Sequence, residues 1–183
     1  MYFVKGKTRI VIVLQEWGIV IKLAKIRLWP VLRHIKRILR HPSDTLEYIR
    51  IERRTKWWYW SSSIKQPLLA GLMENWCEFR FYRKTRLKIL QPTFFSVGLF
   101  NIQKYAEPLD PNTEGFWVQL IRIVSWSRIG FDHHHFSNPA NFAIAENKLV
   151  ALDYGNPRTT KILFRCGDKI HDQFDPSKII PAR

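Results

Sequence analysis

Two β-branched apolar runs, residues 8–14 and 19–23, stand on either side of Trp17-Gly18, and this pattern commits the start of the chain to a sheet. The first run contains Thr8, Ile10, Val11, Ile12 and Val13; the second is Ile19-Val20-Ile21-Lys22-Leu23. Branching at Cβ favours extended backbone, and a glycine between two such runs supplies the turn of an antiparallel hairpin.

After Pro30 the period changes. Val31, Leu32, Ile35, Ile38 and Leu39 recur at helical spacing while Arg33, Lys36, Arg37 and Arg40 fill the opposite face, so an amphipathic helix is predicted up to His41-Pro42. Its apolar stripe is expected to pack on the hairpin. Ser43 or Asp44 caps a further predicted helix through Leu46, Ile49 and Arg53, with Glu47 as a capping-box partner of Asp44. Pro67 opens a helix whose stripe is Leu68, Leu72, Trp76 and Phe79, and whose basic end, Arg83, Lys84 and Arg86, complements the helix dipole. Short strands are expected at 87–90, 93–99 and 101–105, separated by Pro92 and Gly98. Pro108 to Asn112 reads as a linker, Thr113 to Ile129 as a helix stopped by Gly130, and Phe131 to Pro139 as a His-rich loop. Two strands, 141–144 and 149–152, join through Glu146-Asn147-Lys148. From Asn156 onward the chain reads as polar with only short apolar segments. Hairpin, helix, strands, linker, helix and hairpin in that order predict an α+β protein with an antiparallel N-terminal sheet.

The chain has 183 residues, room for one domain, and 46% of them are hydrophobic, enough to build a core. Thirty Lys and Arg against fifteen Asp and Glu give +15, which attracts polyanions: nucleotide, nucleic acid, an acidic protein or an anionic membrane. Cys77 and Cys166 are too few and too far apart for a disulfide framework or a zinc finger, which suits a reducing compartment. No run approaches the ~20 apolar residues of a membrane span, and no signal-peptide core is legible, so the sequence reads as cytoplasmic.

Several residues fall where the protein-kinase-like superfamily has functional ones. Leu149-Val150-Ala151-Leu152-Asp153-Tyr154-Gly155 resembles the apolar strand that leads into the Asp-Phe-Gly motif, with Tyr in place of Phe. His134-His135-Phe136-Ser137-Asn138-Pro139-Ala140-Asn141 aligns without a gap to the catalytic loop His-Arg-Asp-x-Lys-Pro-x-Asn. Lys22 stands like the phosphate-binding lysine of a kinase strand, Glu78 like its ion-pair partner on a helix, and the Tyr105-Ala106 segment like the hinge that takes the adenine edge. The resemblance implies ATP and Mg²⁺ as ligands, with Asn141 and Asp153 holding the metal. It also implies a division into an N-lobe-like part, residues 1–107 with a basic helical insertion, and a truncated, mostly helical C-lobe-like part, residues 108–183.

The chain departs from that pattern in informative ways. The catalytic aspartate falls on Phe136, the lysine that follows it falls on Asn138, and near the hairpin only Gly6 and Gly18 stand in for a glycine-rich phosphate loop. Two outcomes follow: a pseudokinase, or an atypical phosphotransferase in which Asp132 or a histidine of the His133–His135 run, His134 foremost, serves as base. The stretch from Gly130 to Phe142 is similar to small atypical kinases, including lipopolysaccharide-core and aminoglycoside kinases, in which a His-x-Asp loop precedes a similar Asn. Three consecutive histidines on one loop do not converge on a transition metal.

Two other readings rest on charge. Arg53, Arg54 and Lys56 beside Trp57, Trp58 and Trp60 form a candidate nucleic-acid surface, with cations for phosphates and aromatics for bases, or else a core or protein interface with a basic rim. The helix from Val31 to Arg40 has the makeup of one that lies on an anionic membrane.

Overall fold

The computed structural model describes residues 1–40, 65–124 and 136–180, and the protein is α+β. An antiparallel sheet of five strands runs β1 (Tyr2–Lys5), β2 (Arg9–Leu14), β3 (Ile19–Ala24), β5 (Phe100–Lys104) and β4 (Thr93–Ser96) in spatial order. Helix α1 (Leu28–Arg40) and the long helix α2 (Lys65–Thr85) lie between β3 and β4 in the chain, and α2 packs on β3, β4 and β5. The second half holds α3 (Phe116–Val124), a separate hairpin of β6 (Phe142–Ala145) and β7 (Lys148–Ala151), and α4 (Pro157–Gln173). Among the described residues no helix is long and apolar enough to cross a membrane.

The β2–β3 hairpin forms where the β-branched runs demand it. Val11 pairs with Lys22 and Val13 with Val20, and Gly18 closes the connection in the left-handed region at φ 63°. The β6–β7 hairpin turns on Glu146 and Asn147, both left-handed at φ 51° and 58°, the paired positive φ of a tight two-residue hairpin turn.

Three elements differ from the sequence reading. Strand β1 was not expected: Tyr2, Phe3 and Val4 are too few to signal a strand and all are exposed, yet they pair with Val13, Ile12 and Val11 at the sheet edge. The segment 87–90 is not a strand of its own. Leu90 N–H closes back on Leu87 O at 3.0 Å, and only the stretch around Leu90 meets the end of β7, through Ala151 N–H to Ile89 O at 2.7 Å and Gln91 N–H to Ala151 O at 3.0 Å. The polar segment after Asn156 is the helix α4. Thr159, Ile162, Leu163, Cys166 and Ile170 are buried on one face, and the charged residues interleaved with them, among them Lys161, Arg165 and Asp168, are exposed on the other. Asn156 caps the helix, accepting from Arg158 N–H at 2.8 Å, and Pro157 follows at the first helical position.

The apolar core of the second half gathers around Phe116, Leu120, Phe142, Leu163 and Ile170, with Ile89 and Leu90 contributed from the α2–β4 connection. Helix α3 begins three residues later than expected, after Gly115 at φ 77°; a Cβ there would sit 2.7 Å from Lys178 O, so only glycine lets the 176–180 segment lie against it. The stretch 125–129 of that expected helix, and the helix expected from Ser43 to Arg53, lie outside the described residues.

Helix α1 does not bury its stripe on the hairpin. Val31 is buried, but Leu28, Trp29, Leu32, Ile35 and Leu39 are exposed, and the main packing partner of α1 is α2.

Candidate functional site

A cleft of about 380 Å³ opens between the sheet and the β6–β7 hairpin. Val11 and Val13 of β2 and Val20 of β3 form its apolar wall, the Gly6–Thr8 turn between β1 and β2 covers one side, and Tyr105, Ala106 and Pro108 line another. Asn138, Ala140, Asn141, Leu152 and Asp153 come from the opposite half of the molecule. Four cationic side chains line it, Lys7, Arg9, Lys22 and Lys104, together with two carboxylates, Glu74 and Asp153.

The structure brings Lys22 and Glu78 together. Lys22 Nζ donates to Glu78 Oε2 at 3.0 Å and to Leu152 O at 2.6 Å. Glu78 is fully buried, and its acceptor capacity is met from three sides. Arg9 Nη1 donates to Oε1 at 2.6 Å, while Lys22 and Asn101 Nδ2, the latter at 2.8 Å, share Oε2. A buried carboxylate survives only when paired in this way. Asn75, one turn before Glu78 on α2, ties the helix to the sheet by donating to Lys22 O at 3.1 Å and Gly98 O at 2.8 Å. Burial pulls the Lys22 pKa below the ordinary lysine range, and the neighbouring Arg9 charge adds to that, with Glu78 and Asp153 resisting.

Asn141 and Asp153 also meet. The Leu152 and Asp153 N–H groups donate to Asn141 O at 2.8 and 3.3 Å, so the two ends of the β6–β7 unit present both side chains to one cleft. Tyr154 is fully buried. Its hydroxyl donates to Gln91 O at 2.8 Å and lies 2.7 Å from Thr93 Oγ1. Burial raises the Tyr154 pKa, so the phenol is held neutral. Tyr105 N–H donates to Gly18 O at 2.8 Å and Gln91 Nε2 donates to Tyr105 O at 2.9 Å, which fixes the segment that leaves β5 along the cleft edge.

The residue that sequence reasoning missed is Arg9. It is the first residue of β2 and is buried, and it binds three carboxylates: Nε lies 3.3 Å from Glu74 Oε2, Nη1 2.6 Å from Glu78 Oε1 and Nη2 2.7 Å from Asp153 Oδ1. Burial opposes its charge, but Asp153, Glu78 and Glu74 outweigh that and hold the guanidinium protonated well above the usual arginine range. Glu74, which also accepts from the Thr8 hydroxyl, has its pKa raised by burial, with Arg9 pulling the other way. The available signal was alternation: Arg9, Val11 and Val13 share one face of β2 and all three line the cleft.

Asp153 Oδ1 accepts from the Arg9 guanidinium, and among the described residues no group of three His, Cys, Asp or Glu is placed to hold a metal ion. Phe136 is fully buried and meets the Phe142 ring edge-on at 5.6 Å, so its position serves the core. Asp132 and His134, and the aromatic-basic residues Arg53, Arg54, Lys56, Trp57, Trp58 and Trp60, lie outside the described residues. Comparison with family models, curated proteins and solved structures gives no match for this chain.

Proposed function

We propose that the cleft binds a nucleoside triphosphate and that the chain is a nucleotide-binding protein of protein-kinase-like build, without phosphoryl transfer of its own. The observation that carries this reading is the buried Lys22–Glu78 pair at 3.0 Å, set under a cleft that Asn141 and Asp153 also line. A lysine oriented by a carboxylate on a helix behind it is a device for holding phosphate oxygens at a fixed point. The sequence order supports it too: strands, a helix bearing the glutamate, two more strands, a connecting edge, then a hairpin with Asn at its start and Asp at its end.

In this reading the base stacks on the Val11, Val13 and Val20 wall, and Ala106 beside it offers backbone groups to the base edge, Tyr105 N–H being committed to Gly18. Lys22, with Lys7 on the β1–β2 turn, neutralises phosphate charge. Transfer would need a group to take the acceptor's proton, and the matching position carries the buried ring of Phe136.

The test is displacement of a fluorescent ATP analogue together with a thermal shift. ATP at a hundred times its dissociation constant should stabilise the fold by about 2.7 kcal/mol, a rise of roughly 5–11 °C for a chain of this size. Lys22→Gln should lose most of that rise, and no ADP should form in either protein. No displacement and no shift at saturating ATP would sink the reading.

A second reading has its own observation. Leu28, Trp29, Leu32, Ile35 and Leu39 are exposed on α1, a helix that also carries Arg33, Lys36 and Arg40, and this composition suits adsorption to an anionic bilayer. Co-sedimentation with phosphatidylserine vesicles, lost in a Trp29→Glu/Leu32→Glu variant, is the expected result. Equal sedimentation of both proteins would remove this role from α1.

A further inference from the structure

We propose that Arg9 stands in for the divalent cation of the site, so that the cleft takes the polyphosphate of its nucleotide without a metal. The inference rests on the nucleotide reading above and specifies how that site balances charge.

The geometry starts from the strand. Arg9 opens β2 directly after the Gly6–Thr8 turn, and its side chain lines the same cleft as Lys22 and Asp153. Its planar fork is immobilised by Glu74, Glu78 and Asp153, with Asn75 Oδ1 a further 3.4 Å from Nη1. A guanidinium held this way is a fixed cation with N–H groups matched to carboxylate and phosphate oxygens. It sits on the carboxylate that would otherwise hold a metal, Asp153 Oδ1, at 2.7 Å. A Mg²⁺ ion bound to that oxygen at its usual ~2.1 Å would lie against the guanidinium, and two cations so close repel. At Asp153 Oδ1 the two cations therefore compete. Arg9 is covalently part of β2 and remains protonated, so it is the one already in place.

Two cations, Arg9 and Lys22, thus stand side by side on the cleft floor, and Glu78 joins them from behind through separate oxygens. Asp153 acts as a positioning residue for Arg9, and the phosphate contact falls to the cations.

The experiment measures ATP binding to the full chain by calorimetry in excess EDTA and again in excess Mg²⁺. Equal or tighter binding in EDTA is expected. Tighter binding with Mg²⁺ than in EDTA overturns the proposal while leaving the nucleotide reading standing; binding in neither condition overturns both. Arg9→Gln should weaken metal-free binding by about tenfold or more, as expected for a lost charge-assisted contact. Should that variant fail to fold, Mn²⁺ titration of the wild type followed by electron paramagnetic resonance decides independently. No Mn²⁺ should bind the free protein, and saturable Mn²⁺ binding that Asp153→Asn removes would overturn the proposal.

Discussion

Arg9 Nη2 donates to Asp153 Oδ1 at 2.7 Å, joining the first residue of β2 to the turn after β7 across 144 positions of sequence. Around this contact the sheet, α2 and the second half of the chain share one polar network. Glu78 takes Arg9 and Lys22 on opposite oxygens, and Lys22 reaches Leu152 O. The measurable consequences concern stability as much as ligands.

Glu78→Gln keeps the side chain's shape but leaves Arg9 and Lys22 facing each other without their shared counter-charge. Breaking a buried ionic cluster from one side typically costs about 3–5 kcal/mol. Urea denaturation should show that loss; a loss below about 1 kcal/mol would mean that the cluster is relieved by water.

Tyr154→Phe removes one hydroxyl from a fully buried site. Gln91 O then loses its donor at 2.8 Å and Thr93 Oγ1 its partner at 2.7 Å, although Gln103 Nε2 stays within 3.4 Å of both. The expected cost is about 1–2 kcal/mol, at the lower end for an orphaned buried acceptor. Equal midpoints for the two proteins would show the hydroxyl to be dispensable, making tyrosine and phenylalanine interchangeable there.

Glu74 gives the protein a pH signature. Burial raises its folded-state pKa, so above the ordinary glutamate value of 4.5 the folded state holds a proton that the unfolded chain has released. Stability from this group is therefore present at acid pH and falls as pH rises through the folded value. The stability difference between wild type and Glu74→Gln, measured by urea titration at successive pH values, should move against the wild type over that window. Movement in its favour would mean that Arg9 dominates burial.

Phe136→Asp, which puts the aspartate of a kinase catalytic loop at this position, should not create a phosphotransferase. The ring is fully buried against Phe142, so the change removes core volume and buries a carboxyl without a partner. A loss of about 3–5 kcal/mol is expected, with no ADP formed from ATP. A stable variant that turns over ATP would place residue 136 at the cleft.

Strand pairing was legible because β-branched runs and turn residues act locally. The two hairpins and the long helix around Pro67 follow from patterns within a few residues, whereas the pairing of Lys22 with Glu78, 56 positions apart, was implied only by the resemblance. The five-strand sheet was less so: β1 carries three apolar residues on an exposed edge and is held by pairing with β2 rather than by burial. Helix α4 was missed because a single buried face disappears when a segment is read by its average polarity. Arg9 was missed for a different reason. A cation at the start of a strand is usually solvated, and only the convergence of three distant carboxylates makes this one interior.

Gly155 follows the Asp153-Tyr154 pair, and a Cβ on it would come within 2.5 Å of Glu74 O and 2.9 Å of Glu74 Cα. The turn that carries Asp153 is thus pressed against the backbone of the helix that carries Glu78, with no side chain between them to slide or hinge upon. That contact ties the position of one carboxylate to that of the other, so whatever enters meets an arrangement set by backbone packing rather than by side-chain choice.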